Sequence, residues 1–245
     1  MNVKKKIEFI KNWIANYVDS MPNKAESLVI GISGGIDSSV SSTISAMTGI
    51  RTIVLSMPIK QKNSQHDLSL KHQEWLKKNF NNVEGHIIEL DKLFEQFKFS
   101  LSNFNNEHGM ANSRARLRMA TLYQVASSNK GIVVGTGNKI EDFGVGFYTK
   151  YGDGGVDISP IADCNKTEVW ELGKELNILK EIIDAPPTDG LWDDGRTDEG
   201  QLGLTYKELE EAMMNENSKN REKYIKIRKA NQHKMEPIPV CKIPN

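Results

Sequence analysis

Gly31-Ile32-Ser33-Gly34-Gly35-Ile36-Asp37-Ser38-Ser39 is the stretch from which the fold can be read outward. Before it, Ser27 to Ile32 is a short apolar run that stops at a Gly/Ser cluster, the pattern of a buried strand. After it, Val40 to Met47 reads as a helix. Two adjacent glycines let the backbone turn sharply and bring N–H groups close to an anion. The helix points its partly positive N-terminus at the same spot, and Ser33, Ser38 and Ser39 add hydroxyl donors. Asp37 suits a phosphate loop if a divalent cation lies between carboxylate and phosphate, as Mg²⁺ commonly does. A lone Gly-Gly pair would read as a tight turn with Asp37 as helix cap. The serines and the aspartate, set between strand and helix, favour a phosphate site. No Lys follows the glycines, so this is not a Walker loop, and the chain holds no GxGxxG.

Moving outward, Ile50 to Met57, Gly85 to Leu90 and Gly131 to Thr136 read as further strands. Asp67 to Phe80 and Asn112 to Ser127 read as helices between them, and Ile7, Ile10, Ile14 and Val18 give the N-terminal segment one apolar face. This alternation predicts an α/β fold, an open parallel sheet of about five strands flanked by helices. Two extra C-terminal helices are expected at 205–215 and 218–234. Between Asp184 and Gly203 lie Pro186, Pro187, Gly190, Gly195 and Gly200 with no helical or strand period. That composition predicts a mobile active-site loop over 184–203. A single domain over 1–245 is expected.

Charge narrows the partners. Lys plus Arg and Asp plus Glu both number 32, so the net charge is zero. No long-range field draws the chain to nucleic acid or an anionic membrane, and neither is expected as a partner. Cys164 and Cys241 form no CxxC pair and define neither a disulfide framework nor a metal site. The charged start and the lack of a span-length apolar run point to a cytoplasmic protein.

The loop resembles that of the ATP pyrophosphatases, which split ATP between its α and β phosphates. Later segments resemble one branch of them, the NAD synthetases. These are Asn112-Ser-Arg-Ala-Arg-Leu-Arg-Met119, Gly135-Thr-Gly-Asn-Lys-Ile-Glu141, Thr149-Lys-Tyr-Gly-Asp-Gly-Gly-Val-Asp157 and Lys166-Thr-Glu-Val169. The Pro-rich segment with Thr188, running into Thr197 to Tyr206, is a fifth. On their own, Glu141 reads as a helix charge beside Asp142, the three arginines as a basic face, and His233-Lys234 as ordinary helix C-terminal charge. The resemblance implies more: an adenine nucleotide alpha-hydrolase-like fold and a set of small-molecule substrates, namely ATP, deamido-NAD and ammonia.

By that resemblance, Gly31, Ile32, Ser33, Gly34, Gly35, Ile36, Asp37, Ser38, Thr136, Lys166 and Thr188 contact ATP. Asp37 and Glu141 hold Mg²⁺, and Lys166 and Asp37 serve catalysis. Arg116, Lys150, Asp157, His233 and Lys234 contact deamido-NAD. The reaction implied is an ATP-dependent amidation through an acyl-adenylate, giving NAD, AMP and pyrophosphate in a homodimer. Ammonia is the expected nitrogen source, because 245 residues leave no room for a glutaminase domain. Other readings of the loop are a GMP synthetase-like enzyme, a tRNA-modifying enzyme and a non-catalytic ATP-binding protein.

Overall fold

Four parallel strands, β1 (Ser27–Gly31), β2 (Arg51–Ser56), β3 (Val83–Ile87) and β4 (Gly131–Val133), pair in the order β3-β2-β1-β4. The computed structural model describes residues 1–60, 63–188, 190–191 and 196–244. Among these the sheet has four strands where the sequence predicts about five. Beyond β4 the chain makes only a single parallel bridge, Val134 to Ile158. Pro160 follows two residues later and has no N–H with which to extend a ladder.

The central strand is apolar on both faces because helices cover both. Leu28 and Ile30 face a core built with Ile7, Ile10, Ile14 and Val18 of α1 (Val3–Ser20), Val40 and Ile44 of α2 (Ile36–Met47), and Val169 and Leu172 of α6 (Lys166–Glu175). Val29 faces the other way, onto Ile53, Leu55, Phe94 of α4 (Asp91–Ser100) and Ala126 of α5 (Glu107–Ser128). Each buried aliphatic side chain contributes roughly 1.5–3 kcal/mol relative to exposure, so both faces of β1 are strongly fixed.

α2 is unusual in burying six hydroxyl side chains, Ser38, Ser39, Ser41, Ser42, Thr43 and Ser45. Ser42 Oγ lies 2.9 Å from Nε2 of His72, which is buried on α3 (Asn63–Asn79). Burial pushes the His72 imidazole down from 6.5 to about 4, with the Ser39 backbone opposing it. The unfolded chain therefore takes up a proton that the folded chain refuses. The stabilisation is present above pH 6.5 and is lost as the pH falls toward 4. By pH 5 the loss reaches about 2 kcal/mol at 1.36 kcal/mol per pH unit. Denaturant titrations of wild type and His72→Asn from pH 7 to 5 should show a shallower decline in the variant; parallel curves would refute the assignment.

A third cluster closes the chain. A π-helical turn (Lys139–Val145) contributes Ile140 and Val145, which pack with Leu202 of α8 (Asp198–Leu202) and Tyr206 and Leu209 of α9 (Tyr206–Met214). Tyr224 of α10 (Arg221–Met235) completes it. A short α7 (Lys180–Ile183) precedes the Pro-rich segment. Part of 184–203 is thus helical, against the expectation of a stretch without period. Thr197 caps α8 through Gly200 N–H, 3.1 Å away, and Gly203 ends it with φ +67°. Positions 189 and 192–195 of that expected loop lie outside the described residues.

Candidate active site

β2 lies on one side of β1 and β4 on the other, so the connections leave the carboxyl ends of β1 and β4 in opposite directions. Open α/β sheets bind ligands in the crevice made there. Here it is a pocket lined by the loop from Gly31 to Ser38, by Gly135, Thr136 and Gly137 after β4, and by Glu141, Lys166 and Pro186 to Thr188. Ile32 and Ile36 are part of that lining.

The first loop is shaped by its own residues. Gly34 has φ +88°, a conformation that favours glycine. Ser38 Oγ donates to Gly35 O at 3.1 Å and accepts from Ser33 N–H at 3.2 Å, tying the two ends of the turn. Gly35 caps α2 with no side-chain hydrogen bond. The first N–H groups of α2 are therefore left to an incoming anion.

Three ionisable groups from three elements meet at this loop. Lys166 opens α6, where the Glu168 carboxylate accepts from the Asn165 N–H at 2.9 Å. Its side chain is only 2% exposed, and Nζ lies 2.5 Å from Asp37 Oδ2 and 3.0 Å from Glu141 Oε1. Burial alone would lower the ammonium's pKa, but the two carboxylates outweigh it and the value rises. Burial pushes Asp37 up, with Lys166 pulling against it. Burial also pushes Glu141 up, but Lys166 and the Tyr206 hydroxyl hold it below the usual carboxylate value.

Two residues that the sequence reading gave no role complete the group. Asn138 Oδ1 accepts from Ile140 and Glu141 N–H at 3.1 Å each, starting the π-helical turn, while Nδ2 donates to Asp37 Oδ1 at 3.0 Å. It thus orients the Asp37 carboxylate and fixes the backbone that carries Glu141. The Tyr206 hydroxyl lies 2.5 Å from Glu141 Oε1 and 3.2 Å from Asp198 Oδ2. Its ring packs edge-on to Trp170 at 5.8 Å and lies 4.9 Å from Lys166 Nζ. Asn138 was findable, as a capping residue three places before Glu141. Tyr206 carried no local signal. Asp142, named in the sequence reading only as the neighbour of Glu141, lines the pocket with Asp153. Burial first, then Asp153, raises its carboxyl well above the usual range.

The residues assigned to the acceptor fall into two places. Arg116 Nη2 donates to Lys150 O at 3.3 Å, Lys150 Nζ to His233 O at 2.9 Å, and Lys234 Nζ to Tyr148 O at 2.8 Å. This basic group is not in the pocket lining but borders it on shared elements, since Ala115 and Met119 of α5 and Gly152 and Asp153 do line it. Close packing permits this: a Cβ on Gly152 would lie 2.8 Å from Ala115 Cβ. Asp157 stands apart. Its carboxylate accepts from the Tyr123 hydroxyl at 3.1 Å and Val133 N–H at 2.7 Å, which braces β4 against α5. Burial, then Asp157, pushes the Tyr123 hydroxyl up to about 12. The flanking arginines brace the backbone: Arg114 Nη1 donates to Leu191 O at 2.8 Å and Arg118 Nε to Met57 O at 3.0 Å.

Residues 6–241 match the family model described as NAD synthase. The chain is 34% identical over 242 residues to the NH(3)-dependent NAD(+) synthetase of Carboxydothermus hydrogenoformans, covering 96% of each. NMN synthetase from Francisella tularensis superposes with a TM-score of 0.91 at 32% identity, over 99% of this chain and 100% of that one. The NH3-dependent NAD synthetase from Campylobacter jejuni gives 0.79 at 23% identity, over 99% and 100%, a likeness of fold.

Proposed function

Because the chain belongs to the NAD synthase family, we propose that its pocket holds ATP and that the basic surface beside it holds the acceptor. The protein is a ligase that forms a C–N bond, amidating deamido-NAD with ammonia at the expense of ATP. The observation that carries the assignment of roles is the convergence of Asp37, Glu141 and Lys166 on the glycine loop. That convergence supports a site in which two carboxylates hold a cation and one ammonium meets a leaving pyrophosphate.

In the first step the acceptor carboxylate attacks the α-phosphorus of ATP and pyrophosphate departs, leaving an acyl-adenylate. Backbone N–H groups from Gly34 to the first turn of α2 receive the pyrophosphate, and Lys166 neutralises charge as the bond breaks. In the second step ammonia attacks the acyl carbon and AMP leaves. Thr136 and Thr188 flank the nucleotide from the β4 side and the Pro-rich side, where they exclude water from the adenylate. The donor set fits Mg²⁺, a hard ion that binds through one or two carboxylates plus substrate phosphates. When bound, it offsets the charge that develops on the phosphates. Arg116, Lys150, His233 and Lys234 supply cationic contacts for the acceptor's phosphates. A cytoplasmic homodimer is the expected setting; no helix among the described residues is long and apolar enough to cross a membrane.

One observation favours a second acceptor. The Francisella protein that superposes end to end, with the higher TM-score of the two solved structures, is an NMN synthetase. Its acceptor would carry the same nicotinate carboxylate without the adenylate half, so the chemistry at Lys166 is unchanged. Purified protein given ATP, Mg²⁺ and ammonium should form AMP and amide in equal amounts with deamido-NAD. A larger kcat/KM for nicotinate mononucleotide would establish the second acceptor as the preferred one. AMP without amide from either acceptor would defeat both.

A further inference from the structure

The two carboxylates read above as metal ligands are already joined by a cation. Lys166 Nζ contacts Asp37 Oδ2 at 2.5 Å and Glu141 Oε1 at 3.0 Å. The remaining Asp37 oxygen accepts from Asn138 Nδ2 at 3.0 Å, and Glu141 Oε1 also receives the Tyr206 hydroxyl at 2.5 Å. The ring faces of Tyr206 and Trp170, 4.9 and 5.9 Å from Nζ, give the ammonium a built seat rather than a passing contact. A Mg²⁺ bound by the same pair needs their oxygens at about 2.0–2.1 Å. It would then sit in the space the ammonium holds, and two cations in that space would repel strongly across a poorly screened interior.

We propose that Lys166 is the resident counter-ion of the metal site: its ammonium and a divalent ion compete for the position between Asp37 and Glu141. Without nucleotide, the lysine keeps two buried carboxylates assembled and metal alone binds weakly. When nucleotide arrives with its metal, the ammonium moves off the carboxylates and onto the triphosphate. Metal and ATP therefore bind cooperatively, because each gives the other's displaced partner somewhere to go, and the coupling is reciprocal. This rests on the reading of Asp37 and Glu141 as metal carboxylates.

The test uses Mn²⁺ binding to the whole protein, followed by the loss of the free-ion electron paramagnetic resonance signal with and without a non-hydrolysable ATP analogue. Wild type should bind Mn²⁺ at least tenfold more tightly with the analogue than without it. Lys166→Met, which keeps the length and removes the charge, should bind Mn²⁺ alone at least tenfold more tightly than wild type. Lys166→Arg, which keeps the charge, should stay as weak as wild type. Mg²⁺ alone should raise the melting temperature of Lys166→Met and leave that of wild type nearly unchanged. Affinity for Mn²⁺ alone that is equal or weaker in Lys166→Met, or a destabilised variant that Mg²⁺ does not rescue, would overturn the proposal. No Mn²⁺ binding to wild type even with the analogue, or full binding to Asp37→Asn, would instead overturn the metal reading of the carboxylates.

Discussion

Asp37→Ala is expected to reduce the rate of adenylate formation by roughly 10³-fold, about 4 kcal/mol at the transition state. The change removes one of two carboxylates available to a cation at the glycine loop and releases the Asn138 amide that also orients Glu141. It strikes the phosphates rather than the acceptor, so the loss should fall on kcat for AMP release, with KM for deamido-NAD little altered. Lys166 would keep Glu141 at 3.0 Å as a partner. The variant should therefore fold, with a melting temperature a few degrees lower. Single-turnover AMP formation, alongside a melting curve, measures both. Retention of more than a tenth of the wild-type rate in a folded variant would remove Asp37 from the reaction.

The largest loss of stability is expected at Tyr206, through a pair of substitutions. Tyr206 is 1% exposed, and its ring packs against both Trp170 and the Lys166 ammonium, which themselves touch. Tyr206→Ala leaves a cavity there and should cost about 3–5 kcal/mol. Tyr206→Phe keeps the ring and removes only the hydroxyl from Glu141 and Asp198, and should cost about 1.5–3 kcal/mol, the range for hydrogen bonds to charged groups. The hydroxyl also matters to Glu141 itself. Without it, one of the groups opposing the effect of burial on that carboxyl is gone, and its pKa should rise. Denaturant unfolding at pH 7 separates the two variants. Equal costs would mean that the ring contributes nothing beyond its hydroxyl.

The sheet was legible because each strand is a local apolar run closed by a turn signal, and all four segments named as strands contribute one. The glycine loop was legible for the same reason, since its chemistry lies within nine consecutive residues. Contacts between distant residues were not. Asp37 and Lys166 are 129 positions apart, and Glu141 and Tyr206 are 65 apart. No period or spacing links them. Glu141 was marked through the family resemblance; Lys166 had one local hint besides, a cation at a helix start where the dipole disfavours it unless an anion lies near. Tyr206 closed a recognised motif, yet nothing near it indicated that its hydroxyl would reach Glu141. The fifth strand and the short α8 went unread for local reasons: Pro160 stops the ladder, and Thr197 with Gly203 frames a helix too short to show a period.

Glu141 lies on a seven-residue π-helical turn, and α10 holds that turn in place. Asn231 Nδ2 donates to Val145 O at 3.0 Å, Arg228 Nη1 to Gly144 O at 2.7 Å, and the Tyr224 hydroxyl to Gly144 O at 3.2 Å. During synthesis the glycine loop and its sheet emerge well before these clamps. A growing chain would therefore possess a nucleotide cradle long before it possessed a seated second carboxylate. Ribosome-bound chains stalled before residue 221 should bind ATP without cleaving it, which would spare the cell futile turnover by unfinished enzyme.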